Sequence, residues 1–104
     1  MNVFTKIIAN ALALPERGVE NTIQLLEENC TVPFISRYRK ERTGNMDEVQ
    51  VADIALMREK LQDVAKRKET IVTTIEEQGK MTDALRKRIE DCWNISELED
   101  IYLP

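Results

Sequence analysis

The chain contains no histidine. That removes the commonest general base near neutral pH and a common metal ligand. It holds two cysteines, Cys30 and Cys92, whose spacing fits neither a zinc-ligand pair nor a redox motif. No secretory pattern is visible, so reduced thiols in a cytoplasmic protein are expected. No apolar run approaches the ~18 residues of a membrane helix, so no membrane partner is expected. The glycines are three, Gly18, Gly44 and Gly79, and the prolines three, Pro15, Pro33 and Pro104. No stretch sustains the two-residue alternation of a half-buried strand. The chain also lacks a glycine-rich phosphate loop, a metal-ligand cluster and a nucleophile–base pair. These absences point away from catalysis, and neither a cofactor nor a metal is expected.

What is present is charge on a helical pattern. The 104 residues are 42% hydrophobic and 33% charged. That mix fits one globular, charge-coated domain with a modest core. The net charge of −4 should repel nucleic acid as a whole, so any phosphate contact must come from a local basic patch.

The spacing predicts an all-α fold: an N-terminal helix pair of helix-turn-helix type, a short basic helix, one long helix and a short helical return. Residues 3–13 form the first helix, with Ile7, Ile8, Ala11 and Leu12 on one stripe. Pro15 suits the first position of a second helix running to about Asn29, with Val19, Ile23 and Leu26 inward. Gly18 weakens that helix by up to ~1 kcal/mol. Thr31 can cap a short helix that Gly44 stops. Asn45 or Asp47 can cap a long helix ending at Gly79. Its roughly 32 residues would span ~48 Å, well beyond the ~13 Å radius of gyration of a compact domain this size. Its stripe is Leu61, Val64, Ile71 and Ile75, interrupted by Lys68, with Asp63 and Arg67 as an i,i+4 pair. Thr82 caps a further helix, and Ser96 with Glu99 makes a capping box before Ile101, Tyr102 and Leu103. The division expected is 1–44 for the helix pair and short helix, and 45–104 for the long helix and its return.

The helix pair has the lengths of a DNA-reading motif, but Glu16, Glu20, Glu27 and Glu28 oppose a single Arg17 on its second helix. Such a face repels phosphate, so a packing hairpin is the better reading. Arg37, Arg39, Lys40 and Arg42 form the densest basic cluster, next to Phe34 and Tyr38. Basic residues beside aromatics mark single-stranded nucleic-acid sites. The same residues also suit burial of a Phe34–Ile35–Tyr38 face, with Arg37 or Arg39 bonded to an acidic partner between helices or domains. On that second reading, Tyr38→Ala costs about 3 kcal/mol. The triplets 66–68 and 86–88 read as solvated faces, since consecutive helical residues diverge by 100°. Trp93 reads as a core anchor. Ile101, Tyr102 and Leu103 end the chain without a polar tail, so they read as an interdomain surface in a longer protein.

The run ALALPERGVENTIQLLEENCTVPFISRYRKERTGNMDEVQ, with IEEQGKMTDALRKRIEDC and ISELEDIYLP after it, resembles the amino-terminal region of the Tex-like transcription accessory proteins. The resemblance rests on the LPERGVE segment, the TVPFISRYRKERTG box and the DEVQ helix start, and it covers nearly the whole chain. Gly18, Cys30, Asn45 and Asn94 depart from the family pattern, at places that read as turns or exposed positions. The resemblance implies a bacterial, cytoplasmic, multidomain protein tied to transcription and similar in layout to a eukaryotic elongation factor. In it this region precedes an RNase H-like domain, helix-hairpin-helix segments and an OB-fold domain that carries most of the RNA affinity. It assigns no catalytic residue here. The expected function is therefore a non-catalytic scaffold or interaction domain. Its partners would be the remaining domains of the same chain, RNA through the full-length protein, and the transcription machinery. The alternatives are a nucleic-acid-binding module acting through residues 34–42, with Arg37, Tyr38, Arg39, Lys40 and Arg42 as contacts, and an unrelated helical adaptor.

Overall fold

The computed structural model describes residues 2–103; Met1 and Pro104 lie outside it. The fold is all-α. The described residues form α1 (Val3–Leu12), α2 (Glu16–Glu27), α3 (Val32–Tyr38), α4 (Lys40–Thr43), α5 (Glu48–Glu77), α6 (Asp83–Asp91) and α7 (Ile95–Tyr102). Two compact units divide at Glu59 and Lys60, inside α5. No helix among the described residues is long and apolar enough to cross a membrane.

In the first unit, the Asn2 side chain caps α1 by accepting from the Phe4 N–H at 2.8 Å. The Thr5 hydroxyl donates to the Glu20 carboxylate, which also accepts from the Asn2 N–H. The Thr5 hydroxyl, more than any other group, holds the Glu20 carboxyl below its usual range. These bonds tie the start of α1 to α2 and satisfy a fully buried threonine. Ile8, Val19, Ile23, Ile35, Val51 and Ile54 fill the core of this unit. The α1 stripe is rotated from the sequence reading: Thr5, Ile8 and Ala9 are buried, whereas Ala11 is exposed. Pro15 is the N-cap of α2 and not its first helical residue. Asn29 takes a left-handed conformation (φ 67°) just past the end of α2, a position that asparagine tolerates.

Thr31 caps α3 through the Phe34 N–H, in agreement with the sequence. The short basic helix is not continuous, however. Arg39 adopts φ −130° and ψ 31° and separates α3 from α4. Its N–H closes α3 on the Ile35 carbonyl, and its carbonyl accepts from Arg42 and Thr43 to open α4.

Gly18 is the close contact of this unit. A Cβ there would lie 2.6 Å from the Thr43 carbonyl oxygen and 2.9 Å from Met46 Cε. Sequence reasoning takes Gly18 for a weak point at an exposed or turn-like place; it is a buried residue that lets the end of α4 sit on α2. Nearby, Asp47 and Gln50 exchange side-chain-to-backbone hydrogen bonds at 2.8 and 3.0 Å, a capping box that starts α5.

The second unit packs Val64, Ile71 and Ile75 of α5 against Ile89, Cys92 and Leu98. Its α5 stripe is the one the sequence predicts. Gly79 (φ 69°) ends the turn after α5, and Thr82 caps α6 by accepting from the Leu85 N–H at 3.1 Å. The α7 cap differs from expectation. Asn94 accepts from the Glu97 N–H at 3.1 Å, and Ser96 already lies inside the first turn. Glu99 is thereby free to reach α5.

Gly18→Ala should lower stability by about 1–3 kcal/mol, because overpacking against a backbone carbonyl outweighs the gain of up to ~1 kcal/mol in helix propensity. Urea unfolding measures this. An unchanged or raised midpoint would show that α4 can move off α2 without cost.

Candidate functional site

Two sets of side chains stand out, one in each unit. In the first unit, α3 presents Phe34 and Tyr38 one turn apart, with ring centroids 5.4 Å apart and planes tilted by 48°. The Arg39 guanidinium lies 4.9 Å from the Phe34 centroid and donates to the Tyr38 carbonyl at 2.9 Å. The break at Arg39 makes this possible, since it turns that side chain back over α3. Ile35 is buried, but Tyr38 is 61% exposed and Phe34 37% exposed. The expectation of a buried Phe34–Ile35–Tyr38 face is therefore corrected: α3 buries Ile35 and Ser36 and leaves both rings outside.

The expected acidic partner for Arg37 or Arg39 is also absent. Among the described residues, no ion pair involves Arg37, Arg39, Lys40 or Arg42. Arg37 is exposed. The Lys40 ammonium donates to the Met46 carbonyl at 3.3 Å, and Arg42 to the Gln24 side-chain oxygen at 3.4 Å. The Asn21 amide holds the Arg42 carbonyl at 2.8 Å and so fixes α4 against α2. The structure thus brings five of the expected residues, 37–40 and 42, to one segment, with Glu41 the single acid among them.

In the second unit, Lys68 is the residue that sequence reasoning misplaces. It is not on a solvated face but only 9% exposed. Its ammonium donates to the Glu90 carbonyl in the last turn of α6 at 2.8 Å and sits 3.3 Å from the Trp93 ring centroid. It thereby serves the exposed carbonyl end of α6, where positive charge is favourable. Burial pushes the Lys68 ammonium below its ordinary value, opposed in part by Cys92, Asp91 and Glu90. The signal was in the spacing: Lys68 lies four residues after Val64 and three before Ile71, which is the core face. Reading 66–68 as a basic triplet hid it.

Arg67 does not pair with Asp63 as expected. It grips Glu99 with two hydrogen bonds of 2.5 and 3.0 Å, and its guanidinium lies 5.4 Å from the Tyr102 ring centroid. A two-pronged fork to a carboxylate on α7 is a better geometry than a single contact within α5. The Arg67 hydrogen bonds hold the Glu99 carboxyl below its usual range. Beyond this clamp, Ile101 and Tyr102 are half-buried and Leu103 is 66% exposed. With Ile75 and Leu85 they line an open cleft of about 410 Å3. No group of three or more His, Cys, Asp or Glu side chains among the described residues is placed to hold a metal ion.

Two expected outcomes follow. Tyr38→Ala should change stability by no more than about 0.5 kcal/mol, as exposed substitutions do, in place of the ~3 kcal/mol of a buried ring. A thermal melt decides between them. For Lys68, the folded value lies below the ordinary 10.5, so the unfolded chain binds more protons between the two. The contribution of Lys68 to stability therefore rises as pH rises through that window. Urea midpoints of the parent chain minus those of Lys68→Met should climb as pH is raised towards 10.5. A flat difference would show that Lys68 titrates alike in both states.

The family profile of the Tex-like protein N-terminal domain matches residues 2–76. The transcriptional accessory protein Tex of Neisseria gonorrhoeae is 42% identical over 104 residues, which are 100% of this chain and 14% of that protein. Bacillus subtilis YdcI is 46% identical over 97 residues, 93% of this chain and 14% of that one. The human S1 RNA-binding domain-containing protein 1 is 36% identical over 84 residues, 81% of this chain and 8% of that one. The chain thus spans about one-seventh of the length of the bacterial relatives. The chain belongs to the Tex-like N-terminal domain family of transcription accessory proteins.

Proposed function

We propose that residues 1–104 act as a non-catalytic helical scaffold, the N-terminal domain of a longer RNA-binding transcription accessory factor, and that it docks on the remaining domains of that protein. The observation that supports this most is the end of α7. There Leu103 is exposed beside the half-buried Ile101 and Tyr102, at an open cleft floored by Ile75 and Leu85. Arg67 and Glu99 hold α7 in place, so this apolar edge is presented by a fixed helix. A large apolar side chain held beside an open cleft suits an anchor contact with a partner. The printed names of two relatives, a transcriptional accessory protein and an S1 RNA-binding domain-containing protein, support RNA binding by the whole factor. Contact with the transcription machinery would then be a property of the assembled protein.

The test supplies the remaining domains as a separate chain and measures their binding to residues 1–104. Binding should slow hydrogen exchange at residues 95–103. Leu103→Asp should weaken the complex at least tenfold, as loss of an anchor does, without changing the melt of the free domain. Absence of a complex, or a complex indifferent to Leu103→Asp, would defeat the docking reading.

A further inference from the structure

The geometry points to a second surface with a different partner: the α3–α4 face is a binding platform for single-stranded nucleic acid. This goes beyond docking through α7 and rests on other residues. Three observations converge on it. The first is the rings. Phe34 and Tyr38 are both exposed with their planes tilted by 48°, and the Arg39 guanidinium lies over Phe34, so the Tyr38 ring is the more open stacking surface and the guanidinium a second one beside it. Unpaired bases stack on such surfaces whatever their sequence, since every base has a π-face.

The second is charge. Residues 34–42 carry Arg37, Arg39, Lys40 and Arg42 against Glu41 alone, in a chain whose net charge is −4. This short segment therefore carries a positive excess of three in an acidic chain, four basic residues less one acid, and phosphate is the complementary group. The third is the state of those cations. None is neutralised by a carboxylate among the described residues. Arg39 is spent on positioning the rings, but Arg37 is exposed three residues after Phe34 and is available to a phosphate. The Lys40 and Arg42 bonds to neutral oxygens are long, at 3.3 and 3.4 Å, and each head group retains further donors.

An acidic protein would answer to the charge as well, and the attachment test below separates it from a strand of unpaired bases. Duplex DNA would answer to the charge too, but its bases are already stacked on one another. The platform therefore takes unpaired bases, with the backbone running past Arg37 towards Lys40 and Arg42. It does not read the duplex grooves, and α2, with Glu16, Glu20 and Glu27 and with Glu28 at its C-cap, would repel them.

Fluorescence anisotropy of labelled 12-mer oligouridylate and oligothymidylate with the 104-residue chain tests this, with a 12-base-pair duplex as comparison. Both single strands should bind, the duplex more weakly, and log K should fall with log salt at a slope of about −2 to −3, for three or four phosphates. Tyr38→Ala should weaken binding about tenfold, and Tyr38→Phe should preserve it. Arg37→Gln should reduce the slope by about 0.7. Leu103→Asp should bind as the parent chain does, which separates this face from the docking edge. No binding at low salt, equal binding by Tyr38→Ala, or preference for the duplex would overturn the proposal. So would loss of attachment to the remaining domains on Tyr38→Ala with no oligonucleotide bound, which would make the face a protein contact. A stronger signal with oligouridylate than with oligothymidylate would support the proposal and identify RNA as the strand.

Discussion

The carbonyl of Thr43 rests against the Cα of Gly18, in space that any side chain would occupy. Much of the first unit is arranged around that approach. It sets α4 on the first turn of α2, where Asn21 then holds the Arg42 carbonyl and Thr22 bonds back to the Gly18 carbonyl. With α4 fixed at one end and α3 capped by Thr31 at the other, the chain between them must turn, and it turns at Arg39. That turn places the guanidinium over Phe34, beside the exposed Tyr38 ring. A buried glycine on α2 is thus linked, through backbone contacts, to the shape of an exposed face on α3. The helix propensity given up at Gly18 is small beside the clash that a Cβ would introduce there.

The second unit solves a different problem. Its α5 stripe is interrupted by a lysine, and a buried ammonium is costly unless it finds partners. Lys68 finds two, the Glu90 carbonyl and the Trp93 ring. Both lie at the end of α6, so the charge that threatens the core also fastens α6 to α5. Arg67, the next residue back, does the same for α7 through Glu99. Two adjacent cations on one helix therefore hold two different helices. Their 100° divergence, which argues against a shared basic patch, is what allows them to serve separate partners.

Segment 31–50 brings together features that pull in opposite directions. Ile35, Ser36, Thr43 and Met46 are buried, whereas Phe34, Arg37 and Tyr38 are outside. A stretch whose apolar and basic residues are this close in sequence is hard to assign by pattern alone. An aromatic pair at i,i+4 reads equally well as core or as platform, and seven helical residues are too few for periodicity to separate the two.

The helical class, the order of the elements and several of their caps are legible in the sequence, because these rest on local chemistry. Thr31, Asp47 and Thr82 each accept or exchange bonds within a few residues of themselves, and Gly44 and Gly79 take left-handed turns that need no distant partner. The α5 stripe is legible there too, since Val64, Ile71 and Ile75 recur at the helical period. Tertiary structure decided the rest. The roles of Gly18, Lys68 and Glu99 depend on groups 25, 22 and 32 residues away, at Thr43, Glu90 and Arg67. Whether Tyr38 is covered depends on which side of α3 the rest of its unit occupies. Local propensity carries no information about such distances. A close approach, a buried charge and an exposed ring are each defined by what the folded chain places opposite them.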